Sequence, residues 1–174
     1  MLTTVILTVI GSDRPGLTEA LAEAVLAASG NWLESRLSRL GGKYVGSVLV
    51  ELPADSLENL RDAVRHIDAA GLKVEIVAAG RAEPAGTPLD LSLVAQDRPG
   101  IVRELSAALA RLGVNIEDLE TGTQDSAQSG NRLFKAEAHL RVPPGIGRAE
   151  VQAAIEAISW EIMVDFKVEA PAAN

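Results

Sequence analysis

Asp13-Arg14-Pro15-Gly16 recurs as Asp97-Arg98-Pro99-Gly100, an offset of 84 in a chain of 174 residues. Each tetrapeptide joins a carboxylate, a guanidinium, a residue of fixed φ and a residue without Cβ, and an apolar residue follows, Leu17 or Ile101. A helix opening there leaves backbone N–H groups unsatisfied and carries partial positive charge, which suits a carboxylate ligand. Gly16 and Gly100 keep the approach to that backbone free of a side chain. Asn31 and Asn115 recur at the same offset, and each amide offers a donor and an acceptor, the functions that meet the two ends of a zwitterion. The candidate ligand-binding set is therefore Asp13, Arg14, Pro15, Gly16, Leu17 and Asn31, with Asp97, Arg98, Pro99, Gly100, Ile101 and Asn115. The competing reading is a strand-to-helix turn of structural use alone, in which Asp13 and Asp97 bond nearby backbone N–H groups.

Other chemistries find little support. The chain has no cysteine, which removes disulfides, thiolate metal sites and a thiol nucleophile, and its two histidines, His66 and His139, cannot build a multi-histidine zinc site. Both histidines read as surface residues. Ser12, Ser35 and Ser106 have no neighbouring histidine to activate them. Glu117, Asp118 and Glu120 fall on a strand whose adjacent residues point to opposite faces, so they read as a solvated edge. The Gly-x-Gly in Pro143-Pro144-Gly145-Ile146-Gly147 needs only loop geometry to explain it. No catalytic residue, metal ligand or cofactor is expected, and the chain reads as a non-enzyme.

The net charge of −8 divides as −3 over residues 1–83 (8 basic, 11 acidic) and −5 over residues 84–174 (8 basic, 13 acidic). Neither half offers the basic face that phosphate contacts require, so direct nucleic-acid binding is not expected. Five scattered aromatics supply no base-stacking platform, and Trp32 and Trp160 read as core or interface anchors. No apolar run approaches the roughly 18 residues of a membrane helix, and the expectation is a soluble cytoplasmic protein without a membrane partner.

The repeat also dictates the elements that carry these residues. Leu7 and Val9 match Leu91 and Leu93, Leu21 matches Leu105, and Val25 matches Leu109 at the same offset, which later grows to 90 at Tyr44 and Phe134 and to 91 at Leu60 and Val151. Val5, Leu7 and Val9 alternate as in a strand, and Leu17, Leu21 and Val25 recur at helical spacing, predicting a helix from Pro15 to about Ser29 with Pro15 in its first turn. A strand from Trp32 to Leu40, a turn at Gly41-Gly42, a strand through Tyr44 to Leu52, a helix carrying Leu57, Leu60, Val64 and Ile67, and a strand from Leu72 to Ala79 follow. Pro53 to Ser56 is placed to cap the second helix. The second copy predicts strands near 88–95, 114–124, 131–142 and 160–168 and helices near 99–112 and 147–158, with an extended, polar hairpin tip at 125–131. Each copy is thus a split βαβ unit, a ferredoxin-like βαββαβ domain of the α+β class with an antiparallel four-stranded sheet and two helices on one face. The domains are expected at 1–80 and 88–170, with a linker at 81–87 and a tail at 171–174.

The apolar first strand, the Asp-Arg-Pro-Gly turn and the asparagine opening the second strand, as in Asn31-Trp32-Leu33-Glu34 and Asn115-Ile116-Glu117-Asp118, resemble the ACT-domain family, small amino-acid-sensing regulatory modules. The resemblance covers nearly the whole chain, twice. Asn31 to Leu37 and the isolated tandem pair are similar to the group that includes the glycine cleavage system transcriptional repressors. The resemblance implies a small amino acid, glycine among them, bound where the first loop of one domain meets the second strand of the other. It further implies control through a regulatory protein partner, and a homo-oligomer is compatible with it. A ligand-free interaction module built from paired ACT-like domains is the alternative.

Overall fold

Val5, Leu7 and Val9 are buried while Thr8 and Ile10, on either side of Val9, are exposed, so β1 (Leu2–Ser12) has the alternation of a strand with one covered face. A computed structural model describes residues 1–69, 71–80, 85–125, 131–159 and 162–167. The chain divides into two units, Met1–Ala82 and Glu83–Asn174.

In the first unit β1 is followed by α1 (Leu17–Ala27), β2 (Asn31–Leu40), β3 (Lys43–Pro53), a 3₁₀ turn at Ala54–Ser56, α2 (Leu57–Ala69) and β4 (Leu72–Ala78). The sheet order is β2-β3-β1-β4, and every pairing is antiparallel. Leu17, Leu21, Val25, Leu60 and Val64 from the two helices bury against one sheet face carrying Val5, Leu7, Val48, Val50 and Leu52. Trp32 is partly buried against that core, as its reading as an anchor requires. The second unit repeats the plan with β5 (Thr87–Gln96), α3 (Ile101–Arg111), β6 (Asn115–Asp125), β7 (Arg132–Val142), α4 (Arg148–Glu156) and β8 (Met163–Lys167), in the order β6-β7-β5-β8. Leu91, Leu93, Leu105, Leu109, Leu140, Val151 and Ile155 form its core. The expected pair of ferredoxin-like βαββαβ folds is what the molecule has.

The open sheet faces differ. In the first unit Ile6 lies opposite Leu49 and Val77, and Ile10 opposite Val45. At the matched place in the second unit, Asp90 lies opposite His139 and Ser92 opposite Glu137, and both pairs are joined by side-chain hydrogen bonds. That second face is wet, as the alternation of Lys135, Glu137, His139 and Arg141 with buried Phe134, Ala136, Ala138 and Leu140 predicts.

Two local expectations need correction. Neither proline lies in the first helical turn: α1 starts at Leu17 and α3 at Ile101, and Gly16 and Gly100 are their N-caps at φ +90°. A left-handed residue at the cap turns the chain sharply into the helix, and only glycine adopts it without strain, so the proline is pushed one residue outside. Ala54–Ser56 form the 3₁₀ turn that leads into α2. Strict alternation also fails in the second strands, where the register slips between Trp32 and Glu34 and between Ile116 and Asp118. Each slip is a bulge, one extra residue on the outer strand, and the extra residues Leu33 and Glu117 are themselves 84 positions apart. The hairpin tip at 126–130, linker residues 81–84, Trp160 and the tail lie outside the described residues.

Candidate functional site

The repeated tetrapeptide occupies the same place in both units, between the end of the first strand and the start of the first helix. Gly16 has φ +90° and ψ −3°, and Gly100 has φ +90° and ψ −5°. The first bond inside each helix runs from the N–H of Ala20 to the carbonyl of Gly16, and from Glu104 to Gly100, each 3.0 Å long. The N–H groups before that bond are the ones a helix leaves for other partners. A Cβ at Gly16 would meet nothing within 4 Å, so the space above this loop is open and the glycine is required by its φ, not by crowding.

The loop is braced from the side by the β2–β3 hairpin. Asp13 pairs with Arg39 through Oδ2 and Nε at 3.1 Å, its N–H donates to the Gly42 carbonyl at 3.4 Å, and Lys43 donates to Ser12 Oγ at 3.1 Å. The Asp13 side chain therefore reaches a guanidinium, where the structural reading of the turn had it bonding nearby backbone. In the second unit the N–H of Asp97 donates to the Arg132 carbonyl at 2.9 Å, the same brace.

The asparagines are elsewhere. Asn31 lies opposite Glu51, and Glu51 opposite Thr4, while the loop follows Ser12. Eight residue steps of about 3.3 Å separate those ends of β1, about 26 Å. Asn115 lies likewise opposite Arg141 and, through it, Pro88, at the far end of β5 from Asp97. Loop and asparagine of one unit cannot hold the same small ligand.

Side chains that the sequence reading passed over do border the loops. A groove of about 500 Å³ runs between α1 and α2, floored by Ala20, Ala24 and Ala63 and reaching Arg14, Gly16 and Leu17 at one end. Thr18 Oγ1 and the Tyr44 hydroxyl, 2.7 Å apart, tie the first turn of α1 to β3. In the second unit Arg98 and Glu104 form a two-pronged ion pair, with Nη1–Oε1 at 2.9 Å and Nη2–Oε2 at 2.5 Å. The hydrogen bonds from Arg98 lower the Glu104 pKa from its ordinary 4.5, against a smaller opposing effect of desolvation. Glu104 occupies the position that Ala20 holds in the first unit, so the offset of 84 contains the signal that would have found it.

The rejected candidates keep their plain roles. His139 pairs with Asp90 on the open face, and His66 Nδ1 donates to the Asp62 carbonyl within α2 at 2.7 Å. Glu117 is engaged by Arg141 through two 3.0 Å contacts, a use that follows from the bulge. Among the described residues no cluster of three or more His, Asp or Glu side chains is arranged to hold a metal ion. No helix among them is long and apolar enough to cross a membrane.

A family model described as ACT domain matches residues 3–77, and a second of the same description matches residues 90–136. The chain is 31% identical over 172 residues to the phosphoserine phosphatase SerB2 of Mycobacterium tuberculosis, covering 95% of this chain but 40% of that enzyme. It is 22% identical to the glycine cleavage system transcriptional repressor of Escherichia coli, covering 90% of this chain and 84% of the repressor. Among solved structures, a protein of unknown function from Galdieria sulphuraria superposes with a TM-score of 0.78 at 28% identity, covering 96% of this chain and 98% of the other. A putative glycine cleavage system transcriptional repressor superposes with a TM-score of 0.67 at 14% identity, covering 96% and 97%, a likeness of fold.

Proposed function

Because the chain belongs to the ACT-domain family, we propose that it is a non-enzymatic regulator that binds a small amino acid at the loop preceding α1 and signals occupancy to a protein partner. The observation that carries this reading is the duplicated loop, with a glycine at φ +90° opening each first helix beside an arginine. The ligand's carboxylate lies against the N–H groups that open α1 and is neutralised by the Arg14 side chain, which lines the adjoining groove. The alanines that floor the groove leave room for a ligand side chain, and the membership of the ACT-domain family supports a small amino acid as its class. The similarity to a glycine cleavage repressor supports glycine, and that to a phosphoserine phosphatase adds serine and phosphoserine to the series worth testing.

Regulation requires that the ligand favour one of two states of the protein, since equal affinity for both shifts nothing. The state change reaches a partner protein instead of nucleic acid, because a net charge of −8 opposes phosphate contacts. Submicromolar binding to duplex DNA at physiological salt by the isolated chain would refute this part. Thermal-shift and calorimetric titration with glycine, alanine, serine and phosphoserine tests the ligand reading. Gly16→Asp places a like charge where the carboxylate sits, a repulsion on the order of 1–4 kcal/mol at a few ångströms in a partly screened site. Affinity then falls at least about tenfold, while Gly16→Ala, with a similar backbone cost and no charge, loses less. Failure of every amino acid to bind would leave the ligand-free interaction module.

A further inference from the structure

The open sheet face of the first unit is apolar where that of the second is charged. Ile6 has Leu49 on one side and Val77 on the other, Ile10 lies beside Val45, and Ile10 and Val77 are 51% and 47% exposed. The second repeat carries the Asp90–His139 pair where the first has Ile6 and Leu49, so the fold itself does not demand apolar residues there. Ion pairs flank the apolar strip at both edges. On β2 Arg36 holds Glu34 at 2.9 Å, and on β4 Lys73 holds Glu75 at 2.8 Å, all four exposed. Arg36 and Glu75 stand at opposite ends of one row across the sheet, with Ser47 and Thr8 between them.

We infer that this face is a homodimer interface, in which two copies of the chain pack it together about a two-fold axis running along the strands between β3 and β1. Sheets packed face to face keep their strands nearly aligned, about 10 Å apart. That axis lays β3 over β1 of the copy and β2 over its β4, row on row. Leu49 then meets Ile6 of the copy, Val45 meets Ile10, and Arg36 meets Glu75, each contact made twice. Glu34 falls over Val77 and Ser38 over Lys73, so no like charges meet. An axis across the strands fits worse: through the row of Arg36 it stacks Arg36 on Arg36, and beside that row it lays apolar residues over Ser47 and Thr8. Arg36 and Glu75 keep their own partners, and the two exposed ion pairs join into one network at each rim. The apolar rows supply affinity and the rims fix register. None of this depends on whether an amino acid binds.

Sedimentation velocity of the full chain over a range of concentrations, read beside hydroxyl-radical footprinting of Ile10 and Val77, tests the interface. The wild type should dimerise, and both side chains should lose reactivity only as dimer forms. Ile6→Asp with Leu49→His transplants the second repeat's pair and should raise the dissociation constant at least about tenfold in a chain that circular dichroism shows folded. Ile10→Lys, at a half-exposed position, should do the same. Arg36→Glu sets carboxylates against each other at both rims and should weaken the dimer at least about tenfold, and adding Glu75→Arg should restore it. A wild type that stays monomeric, a dimer unmoved by the folded apolar variants, or a reversal that Glu75→Arg does not rescue would each overturn the inference. Protection of Ile10 in the monomer would give the face a different occupant and overturn it as well.

Discussion

Gly46→Ala should unfasten the first hairpin while its counterpart in the second repeat is indifferent. Gly46 sits inside β3 at φ +148°, opposite Val9 on one side and Leu37 on the other. A Cβ there would fall 1.9 Å from the carbonyl oxygen of Arg36 and 2.9 Å from the Leu37 Cα. Both are backbone atoms, so no side-chain rotation relieves the overlap. β3 lies between β2 and β1, and the clash is escaped only by parting β2 from β3 around Arg36 and Leu37. Losing two ladder bonds at about 1 kcal/mol each, with about 1–3 kcal/mol of backbone strain, predicts a loss of about 3–5 kcal/mol. That is a large share of the roughly 5–15 kcal/mol by which a domain is stable. The offset of 90 places Ala136 at the matched position, where a buried side chain is already accommodated. Ala136→Gly should therefore cost only about 0.5–1 kcal/mol. Gly41→Ala, at φ +57° with nothing within 4 Å of a Cβ, should cost about 1–2 kcal/mol. Urea unfolding gives the magnitudes, and hydrogen exchange of the β2 and β3 amides locates the damage. A Gly46→Ala protein within about 1 kcal/mol of wild type, less than the strain and lost bonds allow, would refute the reasoning.

Leu60→Ala and Leu105→Ala each empty a site at most 1% exposed and should cost about 2–5 kcal/mol by urea unfolding. Glu104 has a lowered folded-state pKa, so its pair with Arg98 contributes stability above its ordinary 4.5, and the contribution is lost as pH falls through the lower folded value. A Tm profile across that window should fall less steeply for Glu104→Gln than for wild type, and superimposable profiles would count against it.

Most of the architecture was legible because duplication supplied an internal control: each periodic stretch was seen twice, in Leu7 and Leu91, in Leu21 and Leu105. What escaped was what periodicity does not encode. Pro15 and Pro99 suited a first turn by local preference, but the glycine after each can take a conformation that begins the helix later. Leu33 and Glu117 broke the alternation because a bulge is set by cross-strand fit and not by the strand's own pattern. Each turn joins strand to helix where the repeat puts it, but the partner of Arg98 escaped: Glu104, a residue six positions beyond it, is brought back to it by the first turns of α3. Matching Ala20 to Glu104, in addition to matching the residues that agree, exposes it.

The two bulges bear on how the sheets end. β2 and β6 are both outermost strands, and an outermost strand presents a row of N–H and C=O groups that a stray chain can copy. An extra residue at 33 and at 117 breaks the even spacing of that row and coils the strand locally. A foreign strand could keep step from Arg36 onward or before Trp32, but not across the break, so neither edge offers a full-length template. The chain thus carries, once per repeat, a brake on fibrous sheet growth that leaves its own hairpins intact.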